Sequence, residues 1–158
     1  MKPRQALIFA IAIEVAAFVW LTTTVNFLSA VLAVAACLFY VFIYTLWLKR
    51  TSTHNIVIGG AAGAAPVLIG WSAVTNSLAW EPILLFAIMF YWTPPHFWAL
   101  ALYRKQEYAK AGVPMLPVTH GDKFTRLHVL FYTVILTAVT LMPFATRMSR
   151  SEERRVGK

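Results

Sequence analysis

The chain has 158 residues, 59% of them hydrophobic, and a formal net charge of +8. That apolar share, with a mean hydropathy of +0.66, excludes an ordinary soluble domain, in which about 45–50% of residues are apolar even with glycine counted. The charge does not mark a nucleic-acid binder, because the lysines and arginines stand at the ends of apolar runs and not along one polar face.

Five runs reach the roughly 20 residues that a helix needs to cross the hydrocarbon core: Gln5–Thr24, Phe27–Leu48, Ile56–Val74, Trp80–Leu102 and Phe124–Phe144. They predict an all-α, polytopic transmembrane bundle. Short connections make sequential helices antiparallel neighbours. The first run is too long for a signal peptide and lacks a convincing small-residue cleavage site. It carries Glu14 near its middle, where a charge is costly and is expected to face the bundle interior; a hydrogen-bonded packing role is the alternative. Cys37, the single cysteine, excludes a disulfide framework within the chain and reads as a small buried residue of the second run. The third run contains "GGAAGAAPVLIG". Gly59, Gly60, Gly63 and Gly70 form small-residue faces that let helices approach closely, and such a face also leaves room for a flat or chain-like ligand. Pro66 frees a carbonyl in the same run.

Lys2 and Arg4 precede the first run; Lys49 and Arg50 follow the second; Arg104, Lys105, Lys110 and Lys123 follow the fourth; the connections at Val25–Asn26 and Thr75–Glu81 have no Lys or Arg. By the positive-inside rule this places the N-terminus and the second and fourth connections in the cytoplasm. The end of the chain, "RMSRSEERRVGK", breaks the alternation with five basic residues and two glutamates. Either the fifth run does not cross, or residues 147–158 are a non-native basic tail. The abrupt change of composition at Arg147 favours the second, which leaves 1–146 as the native part.

Chemistry gathers on the basic side. In "FYWTPPHFWALALYRKQEYAKAGVPMLP" (residues 90–117), Pro94 and Pro95 interrupt an apolar helix beside His96. Trp92, His96, Tyr103 and Glu107, spaced by four, seven and four, share one helical face. A histidine there is a hydrogen-bonded structural residue, a contact for a flat or metal-bearing ligand, or a proton relay. The second connection supplies Tyr40, Tyr44, Lys49, Arg50, His54 and Asn55. Lys49 and Arg50 are either membrane anchors or, with Arg104 and Lys105, a cationic rim for a phosphate group. Glu107 and Asp122 are candidates to help hold a hard divalent cation, which usually takes one or two carboxylates plus phosphate oxygens.

"YTLWLKRTSTHNIVIGGAAGAAPVLIGW", "PPHFWALALYRKQEYAKAGVPMLPV" and the spacing between them resemble the UbiA-type intramembrane prenyltransferases, and within them the branch that farnesylates protohaem IX. The resemblance covers about residues 4–146. It implies a nine-helix bundle in the bacterial cytoplasmic (inner) membrane, with an active site open to the cytoplasm. Two acidic loop motifs would hold Mg2+ through the diphosphate of farnesyl diphosphate. Haem b would be a substrate and not a cofactor, and haem O the product. The second motif maps onto Arg104–Tyr108, with Glu107 where the family commonly has Asp and Gln106 where a second acid sometimes stands. The five runs would be helices three to seven, the first motif lying before Met1, so the chain alone is expected to be inactive. By this resemblance Glu107, Arg104 and Tyr103 are catalytic, and Lys49, Arg50, Tyr44, His96, Asn55 and Lys105 bind substrate. Glu107 and Asp122 attend the metal. Association with haem A synthase or terminal-oxidase assembly is also implied, and no nucleic acid. The rivals are a prenyltransferase acting on an aromatic quinone precursor and a non-enzymatic transport or assembly protein.

Overall fold

The computed structural model describes residues 2–146; the expected tail at 147–158 lies outside the described residues. These residues form helices α1 (Pro3–Thr24), α2 (Phe27–Leu38), α3 (Lys49–Thr51), α4 (Asn55–Thr75), α5 (Trp80–Tyr103), α6 (Lys105–Lys110), α7 (Leu116–Thr119) and α8 (Gly121–Ala145), with a π-helical stretch at Phe39–Leu48. α2, the π stretch and α3 run on as one span from Phe27 to Thr51, which makes five helices long and apolar enough to cross a membrane. The five apolar runs are therefore the five spans, in order, with ends shifted by a few residues.

The spans pack as chain neighbours: α1 on α2, α2 and the π stretch on α4, α4 on α5, and α5 on α8. α1 starts with Pro3, whose missing N–H is an orphan of the first turn in any case. Asn26 does two jobs at the next turn. Its Oδ1 accepts from Ser29 N at 2.8 Å, capping α2, and its Nδ2 donates to the carbonyl of Ser72 at 2.7 Å. Beside it, the hydroxyls of Ser29 and Ser72 meet at 2.8 Å, and both residues are fully buried. Small polar residues of this kind join helices where water is absent. α4 ends on Asn76, whose φ of 49° is a left-handed conformation that asparagine tolerates.

Two backbone features depart from the sequence expectation. Helix α5 continues through Pro94 and Pro95 without a break. The two prolines leave the carbonyls of Phe90 and Tyr91 without their usual i+4 donors, yet Pro94 is fully buried and the neighbouring turns hold the helix. Conversely, α2 relaxes into a ten-residue π-helix at Phe39–Leu48 that contains no proline or glycine. Thr45 Oγ1 there donates to Tyr40 O, five residues back, at 2.9 Å.

The core lies at the basic end, where Ile56, Trp98, Ala101, Met115 and Leu116 are buried together. The loop helices α6 and α7 thus pack onto the spans and are not free of them.

Candidate active site

A cavity of about 610 Å3 lies between α2 with its π extension, α4 and α5. Its walls include Tyr40, Tyr44, Gly63, Met89, Trp92 and Phe97. The π stretch has wider turns, which bring residues four apart closer to one line; the rings of Tyr40 and Tyr44 stack at 5.3 Å. Tyr44 lies so close to α4 that a Cβ on Gly59 would overlap its ring. Gly60 lies against Thr93 of α5, where a Cβ would come within 3.1 Å of that side chain. Gly63 and Gly70 have nothing within 4 Å among the described residues. The small-residue face is thus divided. Gly59 and Gly60 admit neighbours, and Gly63 opens onto the cavity.

The wall opposite Tyr44 comes from α5. Trp92 and His96 stack at 4.3 Å, so the four-residue spacing does place them on one face. His96 itself is exposed and stands beside Trp92 and Phe97, which line the cavity, at its edge. The expected continuation of this face to Glu107 does not hold as a helical register. α5 ends at Tyr103, Arg104 has φ −100° and ψ 24°, and α6 starts afresh at Lys105. Tyr103 is 89% exposed.

Beyond the break, charges pair. Arg104 Nη1 lies 3.5 Å from Glu107 Oε2, and both side chains are exposed. Lys105 Nζ lies 2.7 Å from Asp122 Oδ1 and ties α6 to the start of α8. Exposed pairs of this kind stabilise by about 0–1 kcal/mol, so either is readily exchanged for a ligand. Lys49 and Arg50 occupy α3 at the same end of the bundle, in exposed positions. Asn55 is different: it is 1% exposed, donates from Nδ2 to Lys49 O at 3.3 Å, and leaves Oδ1 without a partner among the described residues. It holds the α3–α4 corner that carries Lys49. No group of three His, Cys, Asp or Glu side chains suited to a metal ion occurs among the described residues.

Several cavity residues were not singled out from the sequence. Tyr40 and Trp92 have no assigned role in the sequence reading, and Met89, Thr93 and Phe97 are not named there. Cys37, read as a buried residue, is only half-buried and lines the cavity. Glu14, expected to face the bundle interior, is half-buried on α1. An aromatic every fourth residue on both sides of the cavity was the signal available: Tyr40 with Tyr44, and Trp92 with His96.

Residues 1–150 match the family model described as "UbiA prenyltransferase family". Among curated proteins, the chain is 61% identical over 148 residues to "Protoheme IX farnesyltransferase" of Teredinibacter turnerae, covering 94% of this chain and 48% of that protein. It is 62% identical over 139 residues to the protein of the same name from a Roseiflexus species, covering 88% of this chain and 26% of that one. It is 55% identical over 149 residues to "Protoheme IX farnesyltransferase 1" of Pseudomonas putida, covering 94% of this chain and 50% of that protein. The chain therefore spans about half the length, or less, of these relatives. No solved structure matches it.

Proposed function

This chain belongs to the UbiA prenyltransferase family, and on that footing we propose that the complete protein transfers a farnesyl group from farnesyl diphosphate to a vinyl group of protohaem IX, giving haem O. The observation that carries this reading is the cavity of about 610 Å3, walled by aromatics and glycine, with Lys49 and Arg50 further along the span that supplies its Tyr44 wall. An isoprenoid chain needs an apolar slot closed to water, with its diphosphate at the charged end.

The C–O bond of an allylic diphosphate breaks when the leaving group's charge is neutralised. Lys49, Arg50, Arg104 and Lys105 are the cations at the basic end that serve this purpose. Arg104 would exchange its exposed partner Glu107 for phosphate oxygens, and the guanidinium suits a bidentate grip on them. As the bond stretches, positive charge develops on the allylic carbon, and the faces of Tyr44, Tyr40 and Trp92 can stabilise it at cation–π range. Attack by the haem vinyl group and addition of water, with loss of a proton, complete the hydroxyethylfarnesyl side chain. Diphosphate is the other product. His96, stacked on Trp92 at the cavity's edge, would meet the haem. Tyr103, on the exposed end of α5, would orient the phosphate.

Mg2+ supplies further neutralisation of the diphosphate when bound, and exposed carboxylates beside phosphate-binding cations fit it. Glu107 is the carboxylate offered at the rim, with Asp122 one ion pair away; the remaining oxygens would come from the diphosphate and from residues outside this chain. We place the protein in the bacterial cytoplasmic membrane with the basic end inside, which the Lys/Arg alternation supports. A product this apolar stays in the bilayer, which supports delivery to haem A synthase or to terminal-oxidase assembly.

The test is direct. The complete protein, given farnesyl diphosphate and protohaem, is expected to yield farnesylated haem by mass spectrometry; transfer to a quinone precursor and none to haem overturns the reading. Two variants sharpen it. Glu107→Gln in the complete protein is expected to lower turnover about tenfold, roughly 1.4 kcal/mol of barrier, at unchanged expression; near-normal product would remove Glu107 from the site. His96→Ala is expected to weaken haem binding and leave farnesyl diphosphate binding unchanged, as read by spectral titration and by isotope-labelled ligand. Equal loss of both ligands together with thermal stability would make His96 a structural residue.

A further inference from the structure

The cavity of about 610 Å3 has two distinct ends. α4 begins at the basic end of the bundle, whereas α5 and the π stretch finish there, so position along each span measures depth. Tyr44, Ile56 and Phe97 border the cavity nearest the basic end, and Ala36, Cys37, Ala62, Gly63 and Met89 border it farthest away. Ile56 to Gly63 is seven residues and Phe97 to Met89 eight. At 1.5 Å of rise per residue, the cavity is about 10–12 Å deep.

Past the far end the cleft closes. About two turns beyond Ala36 and Gly63, the hydroxyls of Ser29 on α2 and Ser72 on α4 meet at 2.8 Å, and Ala30 beside Ser29 is fully buried. Small residues let the two helices approach too closely there to leave a slot. The α5 wall ends differently. Of the five residues at the far end, Met89 alone has a long side chain. Its carbonyl accepts from Thr93 Oγ1 at 3.0 Å, which leaves the side chain free of that contact. Met89 is 39% exposed, and an unbranched side chain with three rotatable bonds adapts to whatever reaches it.

We propose that Met89 sets the length of prenyl chain that this cavity accepts, by meeting the terminal isoprene unit of the donor. The proposal rests on the cavity being the isoprenoid slot. With the diphosphate at the basic end, the chain points down the cavity and its last unit arrives at the far end. The residues that line the middle, Tyr40 and Trp92 among them, touch inner units that every donor has. Only the far end touches what distinguishes one donor from the next.

The dimensions agree. From Arg104 back to Met89 is fifteen residues of sequence, about 22 Å along the axis of α5. An extended chain advances roughly 1.2 Å per bond, so the roughly fifteen bonds from the terminal carbon of farnesyl diphosphate to its distal phosphorus reach about 18 Å. The difference is what one contact at each end takes up. A geranylgeranyl donor is one isoprene unit longer, about 5 Å, and runs into Met89. A geranyl donor is shorter by the same amount and leaves the far end unfilled. Removing the Met89 side chain extends the slot; a bulky, stiff ring in its place shortens it.

The experiment uses the complete protein in liposomes with protohaem and, in separate runs, geranyl, farnesyl and geranylgeranyl diphosphate. kcat/KM for each donor is read from prenylated haem by mass spectrometry, beside a melting curve for every variant. Met89→Ala is expected to raise the geranylgeranyl-to-farnesyl ratio at least about tenfold, the equivalent of one rate decade. Met89→Phe is expected to raise the geranyl-to-farnesyl ratio by a similar factor, mainly through loss of the farnesyl reaction. A merely structural role for Met89 lowers all three donors together and moves neither ratio. Ratios equal to wild type in both folded variants overturn the proposal. If Met89→Phe unfolds, Met89→Ala decides alone, since it only removes atoms from a partly exposed position. If wild type prenylates no haem from any donor, the reading of the reaction fails by itself. Length selection is then read from competition of the three donors against labelled farnesyl diphosphate, with the same ratios expected and the same result overturning it.

Discussion

Gly63→Phe in the complete protein is expected to lower formation of farnesylated haem at least about a hundredfold, roughly 2.7 kcal/mol of transition-state stabilisation, while the protein is made and folds at wild-type levels. Nothing lies within 4 Å of a Cβ at this position among the described residues, so the ring enters the cavity and does not collide with the helix packing. There it occupies the volume assigned to the isoprenoid. Gly63→Ala adds a single methyl group and is expected to stay within about threefold of wild type, well under one factor of ten in rate. The readout is haem product by mass spectrometry beside a melting curve. Full turnover by Gly63→Phe with its fold intact would place the farnesyl chain elsewhere. The neighbouring glycines serve as contrast, because a larger residue at Gly59 meets Tyr44 and one at Gly60 meets Thr93. Changes there should act through folding first.

The second large effect concerns stability. Asn26→Ala removes both the cap of α2 and the donor to Ser72 O. A lost N-cap costs about 1 kcal/mol, and the lost bridge to Ser72 O, which still accepts from Asn76 N, costs about 0.5–1.5 kcal/mol. The complete protein in detergent is expected to melt roughly 5–10 °C lower. Asn26→Ser keeps an oxygen that can cap but has no amide to reach α4, and should recover about half of the loss. If Asn26→Ser and Asn26→Ala melt alike, the cap contributes nothing and the bridge between helices accounts for the whole effect.

What was legible in the sequence follows from the bilayer as solvent. A spanning segment must satisfy its own backbone hydrogen bonds, so a run of about twenty apolar residues can only be a helix there. Each of the five runs is accordingly a helix, although single apolar stretches in soluble proteins are ambiguous. Short connections made the neighbours sequential. Family membership was legible too, because "YRKQEYAKAGVPMLPV" is a loop whose polar and proline pattern no hydropathy rule requires.

The site was only half legible. Residue type placed Lys49, Arg50, Arg104, Lys105, Glu107 and Asp122 at one end of the bundle, since charged side chains cannot stay in hydrocarbon. Their pairing was not legible. That Lys105 meets Asp122 across seventeen positions depends on how α7, packed on both α6 and α8, returns the chain to the start of α8. The π stretch at Phe39–Leu48 gave no signal in composition, because one extra residue per turn is a matter of packing against α4 and not of propensity. Likewise, a double proline reads as a break in any single chain, yet burial of Pro94 keeps α5 intact.

By itself, then, the sequence determined the number and order of the spans, the basic end and the family, because each depends on solvent partition or on residues close in the chain. Only the tertiary structure decided which glycines pack and which open a cavity, that Asn55 is buried while Glu107 is free to exchange partners, and that Cys37, Gly63 and Met89, distant in sequence, border the far end of one cavity. Those depend on which faces of packed helices meet, and the hydropathy of a membrane span, apolar on nearly every side, carries almost no record of that choice.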